Sequence, residues 1–261
     1  MLELYTSEPN TFFLKPLIAL HEKQAAFETR WLDTENFEQF APRFPADVEA
    51  HLHLEREGPL LMHDGTLISS TFFMLEYIAE ALPGPSLLPA SAYDQYRARA
   101  SGQFLGAHLG SLVPVLGCAK YLRPRLAAMD RATCEAKLAA IEPQERRAGW
   151  QALLDGTYTP EILATARERL KFPLGRVESQ LANGPWLAGP DYSIADIDAF
   201  AMLRVIPDLA PGLVDAAATP RTCDFLSRIE ARPAVRAALA TTRSGKPHEH
   251  FLPGVEPSRW G

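Results

Sequence analysis

Apolar positions in residues 1–82 switch between a period of two and a helical period. Leu2–Tyr5 predicts a short strand. Over Thr11–Lys23, Leu14, Leu17, Ile18 and Leu20 recur at helical spacing and predict a helix. Phe27–Leu32 predicts a second strand, which gives an opening βαβ unit. Residues 34–57 are mixed and polar, a poorly defined helix or loop. Pro59–His63 predicts a third strand, Asp64-Gly65 a two-residue hairpin turn, and Thr66–Ser69 a fourth strand. Thr71–Ala81, with Phe72, Leu75, Tyr77 and Ile78, predicts a helix. The order βαβ then ββα is that of a thioredoxin-like domain.

Pro83 to Pro89 carries three prolines in seven residues and cannot continue that helix. We take 83–92 as a linker, 93–245 as an all-helical domain and 246–261 as an extended tail. Ile141–Glu161 is charged, breaks at Asp155-Gly156, and reads as an insertion between two long helices. Further helices are expected over Arg167–Leu181, after Ser193, and near Arg221–Ala231. Ser193 and Asp196 form a Ser-x-x-Asp capping box ahead of the apolar Ile194, Ile197, Phe200, Ala201 and Leu203. In such a box each side chain satisfies the other's backbone N–H. It follows a Trp186-Leu187-Ala188-Gly189 turn and precedes Arg232-Pro233-Ala234-Val235.

Composition narrows the function classes. Hydrophobic residues at 47% and charged residues at 22% fit a globular protein with a sizeable core. A net charge of -6 with scattered Lys and Arg gives no support to nucleic-acid binding. No uninterrupted apolar run of about 18 residues occurs, so no membrane-crossing helix is expected. The start, Met1-Leu2-Glu3-Leu4-Tyr5, lacks the features of a signal peptide. Three distant cysteines, Cys118, Cys134 and Cys223, without a CxxC pair, suggest a reducing, cytoplasmic setting. His51-Leu52-His53 and His248-Glu249-His250 have metal-ligand spacing but no partner cluster, so no metal is expected. Gly106 and Gly110 make a G-x-x-x-G that reads as close helix packing.

The thioredoxin-like order, the Pro-rich linker and the capped helical domain together resemble the glutathione transferase superfamily. The resemblance covers almost the whole chain and is most like the bacterial lignin β-etherases. It rests on Leu14-Lys15-Pro16, Asn36-Phe37-Glu38-Gln39, His63-Asp64-Gly65, Leu75-Glu76-Tyr77 and the insertion at Ile141-Glu142-Pro143-Gln144. It implies a homodimer, glutathione as co-substrate, and thiolate attack on a small aromatic electrophile with cleavage of an aryl ether. It implies neither nucleic-acid nor membrane partners.

A thiol with a pKa of roughly 8.5 must be stabilised as thiolate to react at neutral pH. A hydroxyl or amide donor at the start of the first helix does this, aided by the helix dipole. Ser7, Asn10 and Thr11 are the candidates, with Thr11 or Asn10 favoured; the alternative is that both merely cap the helix. In the etherases Ser and Asn donors immediately precede Leu-Lys-Pro, but here Phe12 and Phe13 stand in those positions. Pro59 occupies the position of the superfamily's cis-proline. Its neighbour Gly58 replaces a Val-like residue, which would keep the backbone contacts to glutathione but cost wall packing. Ser70-Thr71 sits where an acid or amide and a hydroxyl bind the γ-glutamyl group, with Ser70 in the acid's place. Gln39 and Lys15 are candidates for the glycyl end, or surface polar residues. Phe12, Phe13, Phe104 and His108, with Tyr96 and Ser111, are candidates for the second-substrate pocket, or simply core.

Overall fold

Strand β1, Leu2–Thr6, sends Leu2, Leu4 and Thr6 inward at alternate positions. The structure, a computed structural model, describes residues 1–34, 37–38, 58–141 and 144–253, without the Glu145 side chain. Gln39, His51 and His53, and most of the segment 34–57, lie outside the described residues. After β1 come α1 (Thr11–Glu22), β2 (Glu28–Trp31), β3 (Leu60–His63), β4 (Thr66–Ile68) and α2 (Thr71–Ala81). The sheet runs β2-β1-β3-β4. Leu4 of β1 lies beside Thr29 in the parallel pair with β2 and beside Leu61 in the antiparallel pair with β3. The four apolar residues that predict α1 are all buried, in one core with Leu4, Leu61, Leu75 and Ile78. This is the mixed sheet and helix order of a thioredoxin-like domain.

The helical domain follows as α3 (Ala92–Gly117), α4 (Arg123–Ala128), α5 (Arg131–Ala139), α6 (Gln144–Leu154), α7 (Pro160–Gln180), α8 (Ile194–Leu203), α9 (Ile206–Leu209), α10 (Pro220–Glu230) and α11 (Pro233–Leu239). A π-helical turn, Cys118–Leu122, joins α3 to α4. Helix α7 starts seven residues earlier than its apolar pattern predicts: Pro160 holds its first turn and the Thr159 hydroxyl accepts from Ile162 N–H at 3.4 Å. The Asp155-Gly156 break is real, with Gly156 at φ +73°. The insertion does more than lengthen a connection. Trp150 of α6 is buried against Phe37, ring centroids 4.7 Å apart, which joins the insertion to the N-terminal domain.

Ala92–Ala128 is long and apolar enough, by length and composition alone, to cross a membrane, which a count of uninterrupted runs overlooks. Half of its most apolar window is buried inside this protein, where it packs against α7 and α8 as a core helix.

Helix α8 is the centre of the molecule, with every one of its residues buried. Its capping box is closed: Asp196 accepts from Ser193 N–H at 2.8 Å and from Leu187 N–H at 2.9 Å. Burial still pushes the Asp196 carboxyl up to about 7. Helix α1 packs on α8 and α11. Arg232, at the start of α11, grips Glu22 of α1 with two bonds of 2.5 and 2.9 Å.

Candidate active site

A cleft of about 1210 Å³ opens between the two domains, and it gathers most of the residues predicted to matter. From the N-terminal domain it is lined by Thr11, Phe12, Phe13, Gly58, Ser70 and Thr71. Among the described residues no group of three His, Cys, Asp or Glu side chains is placed to hold a metal.

Thr11 opens α1 at φ +35°, a left-handed value that a β-branched residue adopts at a cost of about 1–3 kcal/mol. Among the described residues no side chain caps this helix. Asn10, at the cap position, turns away. Its amide nitrogen donates to the His250 carbonyl at 2.6 Å and its amide oxygen accepts from Arg204 at 3.2 Å. Asn10 is therefore committed to the C-terminal segment and is not a donor facing the cleft. Ser7 lines the cleft, with its hydroxyl 3.1 Å from that of Thr34.

The Gly58–Pro59 peptide is cis, and Gly58 has φ +68°, a conformation that favours glycine. A Cβ there would lie 3.2 Å from Phe13 and 3.4 Å from Leu32. The wall packing expected to be lost with a Val-like residue is thus supplied by Phe13 and Leu32. Ser70, at φ +63°, precedes α2, whose first residue is Thr71. Two helix N-termini, those of α1 and α2, so face one cleft. Each presents the positive end of a dipole to it.

Lys15 is neither a surface residue nor in the cleft. It is buried, its ammonium 2.6 Å from Asp198 of α8 and 5.1 Å from the Phe12 ring centroid. The helical-domain candidates separate as well. His108 and Ser111 line the cleft. Phe104 does not; it stacks behind on His108, centroids 4.4 Å apart. Tyr96 is exposed on the far part of α3, paired with Tyr93 at 6.1 Å. Gly106 and Gly110 do not make the expected close helix packing among the described residues, where a Cβ at either would meet nothing within 4 Å. Both line the cleft.

Sequence reasoning missed two walls. Ile162, Thr165, Ala166, Arg169 and Phe172 of α7 line the cleft, and so do His250, Phe251, Leu252 and Pro253 of the tail. Phe251 is buried, stacked on Tyr121 with centroids 6.2 Å apart. Glu8, just ahead of α1, holds the stretch that leads into the tail: it accepts from the Thr242 hydroxyl at 2.6 Å, Arg243 N–H at 3.0 Å and Ser244 N–H at 2.8 Å. Burial raises the Glu8 carboxyl, but these bonds outweigh it and leave its pKa below the usual value. The Phe251 aromatic was the available sequence signal, hidden because it has no periodic partners.

Residues 132–233 match the family model "Glutathione S-transferase, C-terminal domain". The chain has the fold of the glutathione transferase superfamily, a family whose co-substrate is glutathione, as its sequence resemblance implied. It is similar to Protein LigF of Sphingobium sp. (strain NBRC 103272 / SYK-6), 28% identical over 90% of this chain and 91% of that protein. The crystal structure of that β-etherase superposes with a TM-score of 0.82 at 26% identity, covering 92% of this chain and 99% of the other. A glutathione transferase homologue from Sulfitobacter, solved with bound glutathione, shares the fold with a TM-score of 0.63 at 22% identity, over 91% and 96% of the two chains.

Proposed function

We propose that this protein is a glutathione-dependent transferase that cleaves an aryl ether. The observation that carries this reading is the Thr11 side chain at the uncapped start of α1, in the same cleft as Gly58, Ser70 and Thr71. The Thr11 hydroxyl donates to the thiolate, and the positive end of α1 adds to its stabilisation. The backbone at Gly58–Pro59 holds the cysteinyl portion of the peptide. Ser70, Thr71 and the N-terminus of α2 hold the γ-glutamyl carboxylate. In this reading residues 1–82 hold glutathione, and residues 93–245 supply most of the electrophile's side of the cleft. Phe12, Phe13, His108 and the tail line its aromatic pocket.

The thiolate sulfur attacks the carbon that bears the aryloxy group. The new C–S bond replaces the C–O bond, whose electron pair leaves with the phenolate. The phenolate takes a proton from solvent. The products are a glutathione thioether and a phenol. Positioning and thiolate stabilisation supply the acceleration, with no covalent bond to the protein. The similarity to the β-etherase LigF over most of both chains supports the ether as substrate. Exposed Phe73 on α2 and the exposed Tyr93–Tyr96 pair on α3 leave apolar surface for a second copy to cover, and with the family resemblance we read the protein as a homodimer. Three cysteines, odd in number, far apart in sequence and without a CxxC pair, support a cytoplasmic location.

A second reading is a binding or carrier protein of the same fold. It is favoured by Phe12 and Phe13, which donate nothing, and by Asn10, whose amide is already engaged. Calorimetric titration with reduced glutathione, followed by turnover of a β-aryl ether, separates the two. The transferase reading expects a Kd between about 1 µM and a few mM together with phenol release. Binding without release with any aryl ether or activated aryl halide favours the carrier. No binding up to about 10 mM ends the glutathione assignment.

A further inference from the structure

Helix α3 contains four glycines, and they divide into two kinds. A Cβ on Gly102 would lie 2.0 Å from Phe72, and one on Gly117 2.3 Å from Phe251. Close packing requires those two. A Cβ on Gly106 or Gly110 would meet none of the described residues within 4 Å, and both glycines line the cleft. They lie one turn apart and so share a face of the helix. Glycine inside a helix destabilises it relative to alanine, because the unfolded chain has more freedom to lose. Among the described residues no side-chain contact offsets that cost at these two positions. A second feature of the same cleft is Phe172 of α7, a large apolar side chain left 63% exposed at its rim. Its ring stands edge-on to His108, centroids 5.3 Å apart.

We propose that Gly106 and Gly110 are specificity-determining residues that form a flat floor for an aromatic ring. Without side chains there, a ring reaches the α3 backbone face, and Phe172 and His108 supply aromatic neighbours at its side. The two glycines therefore set how bulky a ring system the cleft accepts against α3, and a side chain at either position shuts the bulkier acceptors out. This rests on the transferase reading above, and it adds which residues set the size of the acceptor.

The test uses the full-length protein with Gly106→Leu, Gly110→Leu and Gly106→Ala. Gly175→Ala serves as the control, since Gly175 is an exposed residue of α7, outside the cleft, where a Cβ would meet none of the described residues within 4 Å. One readout is the ratio of kcat/KM for a two-ring β-aryl ether to that for 1-chloro-2,4-dinitrobenzene. The other, independent of turnover, is the Kd of the two-ring fluorophore anilinonaphthalene sulfonate. The leucine variants should lower the ratio by about tenfold or more and weaken the fluorophore by a similar factor. Gly106→Ala and Gly175→Ala should both raise Tm by about 2–4 °C, and only the first should move the ratio or the Kd. Folded leucine variants whose ratio and Kd both stay at the wild-type values overturn the proposal, as does a wild-type protein that does not bind the fluorophore. A wild type that binds the fluorophore but turns over neither electrophile ends the transferase reading alone. The floor is then judged on the fluorophore Kd.

Discussion

Two helix N-termini in this molecule are built in opposite ways. At α8, Ser193 and Asp196 close on each other and on Leu187, within ten residues of chain. At α1, no side chain among the described residues caps the helix, Thr11 takes a left-handed φ, and the neighbouring side chains are held by residues more than 190 positions away. A locally closed terminus is stable and has nothing left to offer a ligand. An open terminus keeps its dipole and its hydroxyl for a ligand, and distant parts of the fold must hold it in place. The two are tied together through the Lys15–Asp198 pair.

Cutting that tie should have the largest effect. Lys15→Met leaves the Asp198 carboxylate buried without its cation, and it should cost about 3–5 kcal/mol in urea unfolding. A loss below about 1 kcal/mol would show that the two helices hold each other by apolar packing alone. Opening the closed terminus comes next. Asp196→Ala orphans the buried N–H groups of Ser193 and Leu187, for about 3 kcal/mol of stability.

Thr11→Val sharpens the contrast from the other side. It keeps the shape and removes the hydroxyl, so stability should change by less than about 1 kcal/mol. Turnover at saturating glutathione should fall about 10–100-fold, and the pKa of bound thiol, read by thiolate absorbance, should rise. Unchanged turnover removes Thr11 from the chemistry.

The smallest effect concerns the latch between Glu8 and the stretch that leads into the tail. The folded Glu8 carboxyl titrates below its ordinary 4.5, so the folded state binds this proton less readily than the unfolded state. Its stabilisation is present in full above about pH 4.5 and is lost as pH falls through the lower, folded value. Protection of the Arg243 and Ser244 amides from hydrogen exchange should drop over that acidic range. Glu8→Gln should remove the pH dependence while costing about 1 kcal/mol or less. Protection that does not change with pH would show that the tail is held by Phe251 and Asn10 instead.

Local periodicity made the sheet, α1, α2 and the α8 cap legible, because each is fixed by neighbours in sequence. Helix α7 was cut short in prediction since its first turn depends on Thr159 and Pro160 rather than on apolar spacing. Of the residues that line the cleft, Thr11 stands out in the sequence as a helix start, whereas Gly58, Ser70 and Thr71 are singled out by the family resemblance. Lys15 was misjudged because a lysine in an apolar helix gives no sign of the carboxylate, over 180 residues away, that pairs with it. Gly106 and Gly110 misled for a related reason: spacing shows that two glycines share a face, not what that face meets.

Local sequence is enough to set the order of elements, the two-part architecture and a hydroxyl-bearing start to the first helix. These follow from periodicity, caps and turn chemistry, which act over a few residues. Only the tertiary structure decided that Asn10 serves the tail, that Phe13 fills the space beside Gly58, and that residues 250–253 wall the cleft. Those contacts span up to 240 residues of the chain. Which groups meet across that distance is set by how the packed helices close, and no local pattern encodes it.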